Sequence, residues 1–208
     1  AHVQRELAPV AAGRFYLYGS HDADRVPGDR VGLLIDAAMA FGTGHHGTTA
    51  GCLEAFDALL AEDMSPGAVA DIGCGTAVLA RAGARVWSGV QVVAGDIDPV
   101  AVDVAQANLA ANGLNGRVSC VQAAGADHPD IAATAPYALV FANILKGPLI
   151  ELAPDLARIT APGGRLILAG LLNDQADEVS SAYAAQACFE TARLIRGDWT
   201  ILTLARAD

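Results

Sequence analysis

From residue 69 onward, short apolar runs alternate with longer stretches of mixed pattern. Val69–Ile72, Gln91–Gly95, Arg117–Gln122, Tyr137–Ala142 and Arg165–Ala169 are too short for helices and rich in strand-forming residues. Helices are expected between them, over about Thr76–Trp87, Asp98–Ala111 and Gly147–Ile159, with a helical turn after Asp127-His-Pro129. Asp98-Pro99 gives a capping side chain and then proline at the first helical position; Asn112-Gly113 and Pro162-Gly-Gly164 are stop signals. A polar helix is expected over about Gln175–Gln186. The final runs, Cys188–Ile195 and Trp199–Ala205, are separated only by Arg196-Gly-Asp198, too little chain for a crossover, so they should be antiparallel neighbours. The pattern predicts an α/β fold: a doubly wound, mostly parallel, Rossmann-like sheet with one reversed strand in a C-terminal hairpin.

Residues 1–36 read as an N-terminal extension with two short strands, Phe15–Tyr18 and Val31–Ile35, ahead of a main domain over 37–208. Ala40-Phe-Gly-Thr-Gly-His-His-Gly-Thr-Thr49 is too glycine-rich for regular structure. A helix is expected from about Thr48 to Ala61, with Cys52, Phe56, Leu59 and Leu60 along one face.

Composition narrows the class. Apolar residues make up 53% of the 208 but charged ones only 17%, and no run reaches the roughly 18 apolar residues of a spanning helix. No signal-peptide pattern opens the sequence. The net charge of −10 argues against a broad nucleic-acid surface and favours a basic partner. Cys52, Cys74, Cys120 and Cys188 are widely spaced in apolar settings, which predicts buried free thiols in a reducing cytoplasm.

Sheets of this class bind ligands at the carboxyl ends of their strands, so Asp71–Thr76, Asp96 and Asn143 should share one edge. Gly73 and Gly75, between a strand and a helix, suit a nucleotide-type ligand; the dinucleotide fingerprint would need glycine at position 78, where Val78 stands. Asp96, about twenty residues on, can accept hydrogen bonds from both hydroxyls of a ribose, with Ile97 placed against an adenine face. Asn143, Ile144 and Leu145 offer an uncharged side-chain carbonyl and backbone carbonyls to an amine without favouring its ammonium form; Asn143 could instead cap the next helix. The 41–49 loop can cover a ligand, with Thr48 or Thr49 as donor. His45 and His46 lack partners at ligand spacing, so no metal site is expected.

Taken in order, Ala40–Thr49, Asp71-Ile-Gly-Cys-Gly75, Gly95-Asp-Ile-Asp-Pro99 and Ala142-Asn-Ile-Leu-Lys-Gly-Pro-Leu149 resemble the bacterial ribosomal protein L11 methyltransferases, the PrmA family. The resemblance runs from about Leu33 to the C-terminus. It implies a seven-stranded class I methyltransferase sheet, S-adenosylmethionine as donor (leaving S-adenosylhomocysteine), and lysine and α-amino groups of a basic large-subunit ribosomal protein as acceptors. The family's cofactor contacts fall on Thr49, Gly73, Asp96 and Asn143, with Phe41 and His46 also lining the site; His46 is the one candidate general base. No membrane is implied, and the oligomeric state stays open.

The sequence departs from the family pattern at His45, Gly47 and Ala77, where threonine, proline and glycine are common. Only about thirty residues precede the matching region, where the family carries a substrate-gripping domain, which leaves a catalytic fragment or a different mode of recognition. Competing readings are a nicotinamide-dependent oxidoreductase, a methyltransferase for another protein or a small amine, and a non-catalytic cofactor-binding module.

Overall fold

The computed structural model describes residues 8–35 and 45–208, with side chains from residue 47 in the second segment. The first strands are β1 (Val10–Ala12), β2 (Phe15–Tyr18) and β3 (Val31–Leu34). β1 and β2 are antiparallel, and β2 pairs with β3 in parallel. The sequence suggested two strands here. The third, β1, is alanine-rich with little strand signal of its own; it pairs through the turn at Gly13, where Arg14 is anchored to Asp57 of the next helix by a 2.6 Å ion pair.

Helix α1 (His45–Ala61) is followed by β4 (Val69–Ile72), α2 (Val78–Val86), β5 (Val92–Asp96), α3 (Pro99–Ala111) and β6 (Val118–Gln122). Then come α4 (Pro129–Thr134), β7 (Tyr137–Asn143), α5 (Lys146–Glu151), α6 (Ala153–Ile159) and β8 (Thr160–Leu172). The chain closes with α7 (Ala176–Ala184), β9 (Cys188–Arg196) and β10 (Trp199–Arg206). The single helix expected over 147–159 is two, because Pro154 cannot sit in a helix interior but is tolerated in the first turn of α6.

The seven-stranded sheet has the order β6-β5-β4-β7-β8-β10-β9. β10 lies between β8 and β9 and is antiparallel to both, the reversed strand of the expected hairpin. Successive residues of the central strands feed opposite faces. Val69, Ala94, Leu139 and Phe141 enter one core with α1, α2, α3 and the small sheet, while Ala70, Ile72, Val140 and Ala142 enter the other with α4 to α7. Phe56 of α1 centres the first core, stacked on Phe15 at 5.7 Å and edge-on to Trp87 and Phe141 at 5.4 and 5.5 Å. The three-stranded sheet thus packs into the same core as the large one. All four cysteines are buried and free. No described helix is long and apolar enough to cross a membrane.

Candidate functional site

Strand order reverses between β4 and β7: β5 and β6 extend to one side of β4, β7 and β8 to the other. The connections leaving these two strands diverge and open a crevice at their carboxyl ends. Register sets what meets there. Ile72 is level with Gly95 on one neighbour and Ala142 on the other, so Gly73, Asp96 and Asn143 stand side by side.

The loop from β4 to α2 is held by backbone bonds, with the Gly73 and Cys74 N–H groups donating to the Gly95 carbonyl at 2.8 and 2.9 Å. Gly73 has φ +71, and a Cβ there would stand 2.3 Å from Ile144 Cγ2, so both conformation and space require glycine. A Cβ on Gly75 would enter open space. Ala77, the residue before α2, also takes a left-handed conformation, φ +62, at a cost of roughly 1 kcal/mol for a residue with a side chain.

Asp96 ends β5 half-buried. Its Oδ2 accepts from the Gly75 N–H and its Oδ1 from the Asp98 N–H, both at 2.9 Å. An ionised carboxylate has about four acceptor positions, so one on each oxygen remains for a pair of hydroxyls. Capping of α3 falls to Asp98, whose Oδ1 accepts from the Val100 N–H at 2.9 Å. Beside Asp96, the Ile97 side chain is 69% exposed, an uncovered apolar surface at the crevice edge.

Asp71 lies beneath the loop. It is 1% exposed, and its Oδ2 accepts from the Ala80 N–H of α2 at 3.0 Å. Burial pushes its carboxyl up to about 7; the Ala80 N–H opposes that rise and the nearby Asp96 charge adds to it. The folded protein therefore keeps a proton on Asp71 that the unfolded chain releases near 3.8. The stability tied to that proton is fully present below about pH 4 and is lost as pH rises through about 7. Denaturation of the parent and Asp71→Asn at both ends of this window should show the parent gaining on the variant as pH falls, by on the order of 4 kcal/mol. A difference independent of pH would refute the assignment.

Asn143 ends β7. Its Nδ2 donates to Thr48 Oγ1 of α1 at 3.3 Å, and α5 starts from Leu145 with no side-chain cap, so Asn143 does not cap that helix. Ile144 is wedged in place: its N–H donates to the Ala169 carbonyl at 3.1 Å, its methyl faces Gly73, and its backbone passes Gly170. Gly170 has φ +88, and a Cβ there would come within 2.3 Å of the Ile144 oxygen. Gly170→Ala should therefore cost about 2–4 kcal/mol of stability, read as a lower denaturation midpoint. A midpoint equal to the parent's would show that residues 143–145 do not depend on this close approach. The Leu145 carbonyl accepts from the Leu149 N–H at 3.0 Å, while its side chain is 68% exposed at the edge.

The structure thus brings together Thr48, Gly73, Gly75, Asp96, Ile97 and Asn143–Leu145 at one edge, with Thr48 2% exposed and Thr49 half-buried beside it. Phe41 and the side chain of His46 lie outside the described residues. Sequence reasoning passed over two residues here. Gly170 sits inside an apolar run with no turn signal. Trp199 opens β10 opposite Leu172, on the same edge, with its ring beside Gly47 of α1; its position after the hairpin turn was the available signal. Among the described residues no three metal-ligating side chains come together.

The family model described as ribosomal protein L11 methyltransferase (PrmA) matches residues 1–207. The chain is 46% identical over 204 residues to a ribosomal protein L11 methyltransferase of Brucella abortus, covering 98% of this chain and 70% of that one. A relative of the same name from Rhodopseudomonas palustris is 44% identical over 200 residues, covering 96% and 67%. Among solved structures, a ribosomal protein L11 methylase from Lactobacillus delbrueckii subsp. bulgaricus has the same fold, with a TM-score of 0.82 at 23% identity, covering 98% of this chain and all of the other. A Pyrococcus furiosus methyltransferase has a TM-score of 0.59 at 16% identity, covering 74% and 82%.

Proposed function

The chain belongs to the ribosomal protein L11 methyltransferase family, and on that premise we propose that it transfers methyl groups from S-adenosylmethionine to lysine and α-amino groups of ribosomal protein L11. The observation that carries this reading is the register placing Gly73, Asp96 and Asn143 side by side at the sheet's switch point. The relatives are named for ribosomal protein L11; a basic, large-subunit substrate met in the cytoplasm is part of the proposal, and basicity suits a chain of net charge −10.

The donor fits the residues present. Asp96 has an acceptor position left on each oxygen for the ribose hydroxyls. Ile97 offers an exposed apolar face to adenine, and the space over Gly75 admits close approach of the ligand to the backbone. Thr49, Phe41 and His46 are assigned to the same site by the family pattern. When bound, S-adenosylmethionine supplies an electrophilic methyl carbon: the amine lone pair forms the N–C bond, the C–S pair stays with sulfur, and the resulting ammonium gives its proton to water.

The chain's residues have two tasks. The first is to deliver a neutral amine. A lysine has a pKa of about 10.4, so neutralising it near pH 7 costs about 5 kcal/mol, and an apolar wall such as the exposed Leu145 side chain lowers that cost by desolvating the charged form. An α-amine, near 8, needs less help. The second task is alignment. Asn143 Oδ1 accepts an N–H of the amine and points its lone pair toward the methyl carbon, while Ile144 fixes the segment through its contacts with Gly73 and Gly170.

Incubating the chain with methyl-labelled donor and a mixture of ribosomal proteins tests this reading. The expected result is label on L11 alone, recovered as methylated lysine and methylated α-amine. Label only on small amines, or no label despite donor binding, would contradict it.

A further inference from the structure

We infer that Thr48 is a positioning residue for methyl transfer: its hydroxyl, by accepting from Asn143 Nδ2, holds the Asn143 side chain in place beside the incoming amine. This rests on the proposed role of Asn143 and adds to it a second residue, from a different element.

An asparagine amide carries an acceptor at one end and two donors at the other, and the two orientations nearly superimpose. Only one suits the chemistry. With Oδ1 toward the amine, the side chain takes up an N–H and leaves the nitrogen lone pair exposed. Turned over, it would direct N–H donors at that lone pair and compete with the methyl carbon for it. At the end of a strand facing a crevice, the amide needs a partner to hold it in place.

Thr48 Oγ1 lies 3.3 Å from Asn143 Nδ2, in the orientation that turns Oδ1 away from the helix. The threonine is 2% exposed, so water does not replace it there readily. Its location is set by α1 and not by the crevice. Three residues along α1, a Cβ on Gly51 would come within 2.3 Å of Ile201 Cδ1, so the helix backbone rests directly on the Ile201 side chain of β10, and Glu54 pairs with Arg196 one turn further. The helix is thus seated on β10 and β9 and presents Thr48 to the end of β7 as a fixed partner. Residue 49, next along the helix, is half-buried and is the one assigned to the donor.

Thr48→Val keeps the shape and removes the hydroxyl; Thr48→Ser keeps the hydroxyl. In the valine variant kcat should fall by about tenfold, the weight of one neutral hydrogen bond, with calorimetric affinity for S-adenosylhomocysteine unchanged within about twofold. The serine variant should recover most of the parent kcat. A readout independent of turnover is the Asn143 side-chain amide pair in nitrogen–proton NMR spectra of the unliganded protein, which should move in the valine variant and return in the serine one. Should the valine variant fail to fold, Thr48→Ala against Thr48→Ser makes the same comparison. Parent-like kcat without the hydroxyl, an unmoved Asn143 amide signal, a serine variant as slow as the valine one, or a matching loss of ligand affinity would each overturn the assignment. Asn143→Ala separates the two levels. If it is inactive while Thr48→Val is normal, only the positioning role fails; if Asn143→Ala is itself fully active, the role of Asn143 fails with it.

Discussion

Replacing Asn143 with alanine should lower kcat for methyl transfer by about a hundredfold or more while leaving S-adenosylmethionine affinity within about tenfold. The split follows from where the side chain sits and what holds the segment around it. Backbone contacts anchor residues 143–145: the Ile144 N–H on the Ala169 carbonyl and the close passes at Gly73 and Gly170. None of these depends on the Asn143 amide, so the crevice keeps its shape. What disappears is the proposed acceptor for the amine. Misplacing a reacting group by about 1 Å costs on the order of a hundredfold in rate. Single-turnover kinetics with calorimetry on the same preparation checks both halves, and an unchanged kcat would remove Asn143 from the reaction.

The second large effect is the reverse. Asp96→Ala should weaken S-adenosylmethionine binding by about a hundredfold or more and leave kcat at saturation within several-fold. Hydrogen bonds to an ionised group contribute about 1.5–3 kcal/mol each, and two to the ribose are lost together. Some of the loss reflects the loop itself, because the Gly75 and Asp98 N–H groups also lose their shared acceptor. Asp96→Asn should fall between: an amide offers one acceptor oxygen and no charge. Calorimetric titration gives the affinities, and parent-like binding by Asp96→Ala would place the donor elsewhere.

Much of the fold is legible in the chain because its central strands are buried on both faces. β4 occupies the run read from the sequence, Val69–Ile72, and α3 begins at Pro99 behind its Asp98 cap as the local chemistry requires. Elements fixed by tertiary contact were harder to read. β1 exists because β2 pairs with it, and α1 starts at His45, ahead of the expected Thr48, across a glycine-rich stretch that helix propensity disfavours. α2 starts at Val78, later than expected, because Gly73, Gly75 and Ala77 all hold positive φ in the turn before it.

The site divides in the same way. Gly73, Asp96 and Asn143 could be placed from spacing alone, since each follows a recognisable strand. The division of labour between Asp71 and Asp96 could not. Both carboxylates lie at the carboxyl ends of strands, Asp71 one residue before the end of β4 and Asp96 closing β5, yet one turns inward to the Ala80 N–H and the other stays at the crevice. Nor could sequence separate Thr48 from its neighbour, because the difference is a helix rotation that brings one hydroxyl to Asn143. Gly170 was silent for a similar reason: its function is an absence of bulk next to residue 144, some 26 positions earlier.

The most direct test of the central claim is an experimental structure of this chain with S-adenosylhomocysteine. The ribose hydroxyls should lie on the Asp96 carboxylate, the adenine against Ile97, and the sulfur end toward Asn143. Product bound away from the β4–β7 crevice, or an Asp96 carboxylate making no contact with the ribose, would contradict it.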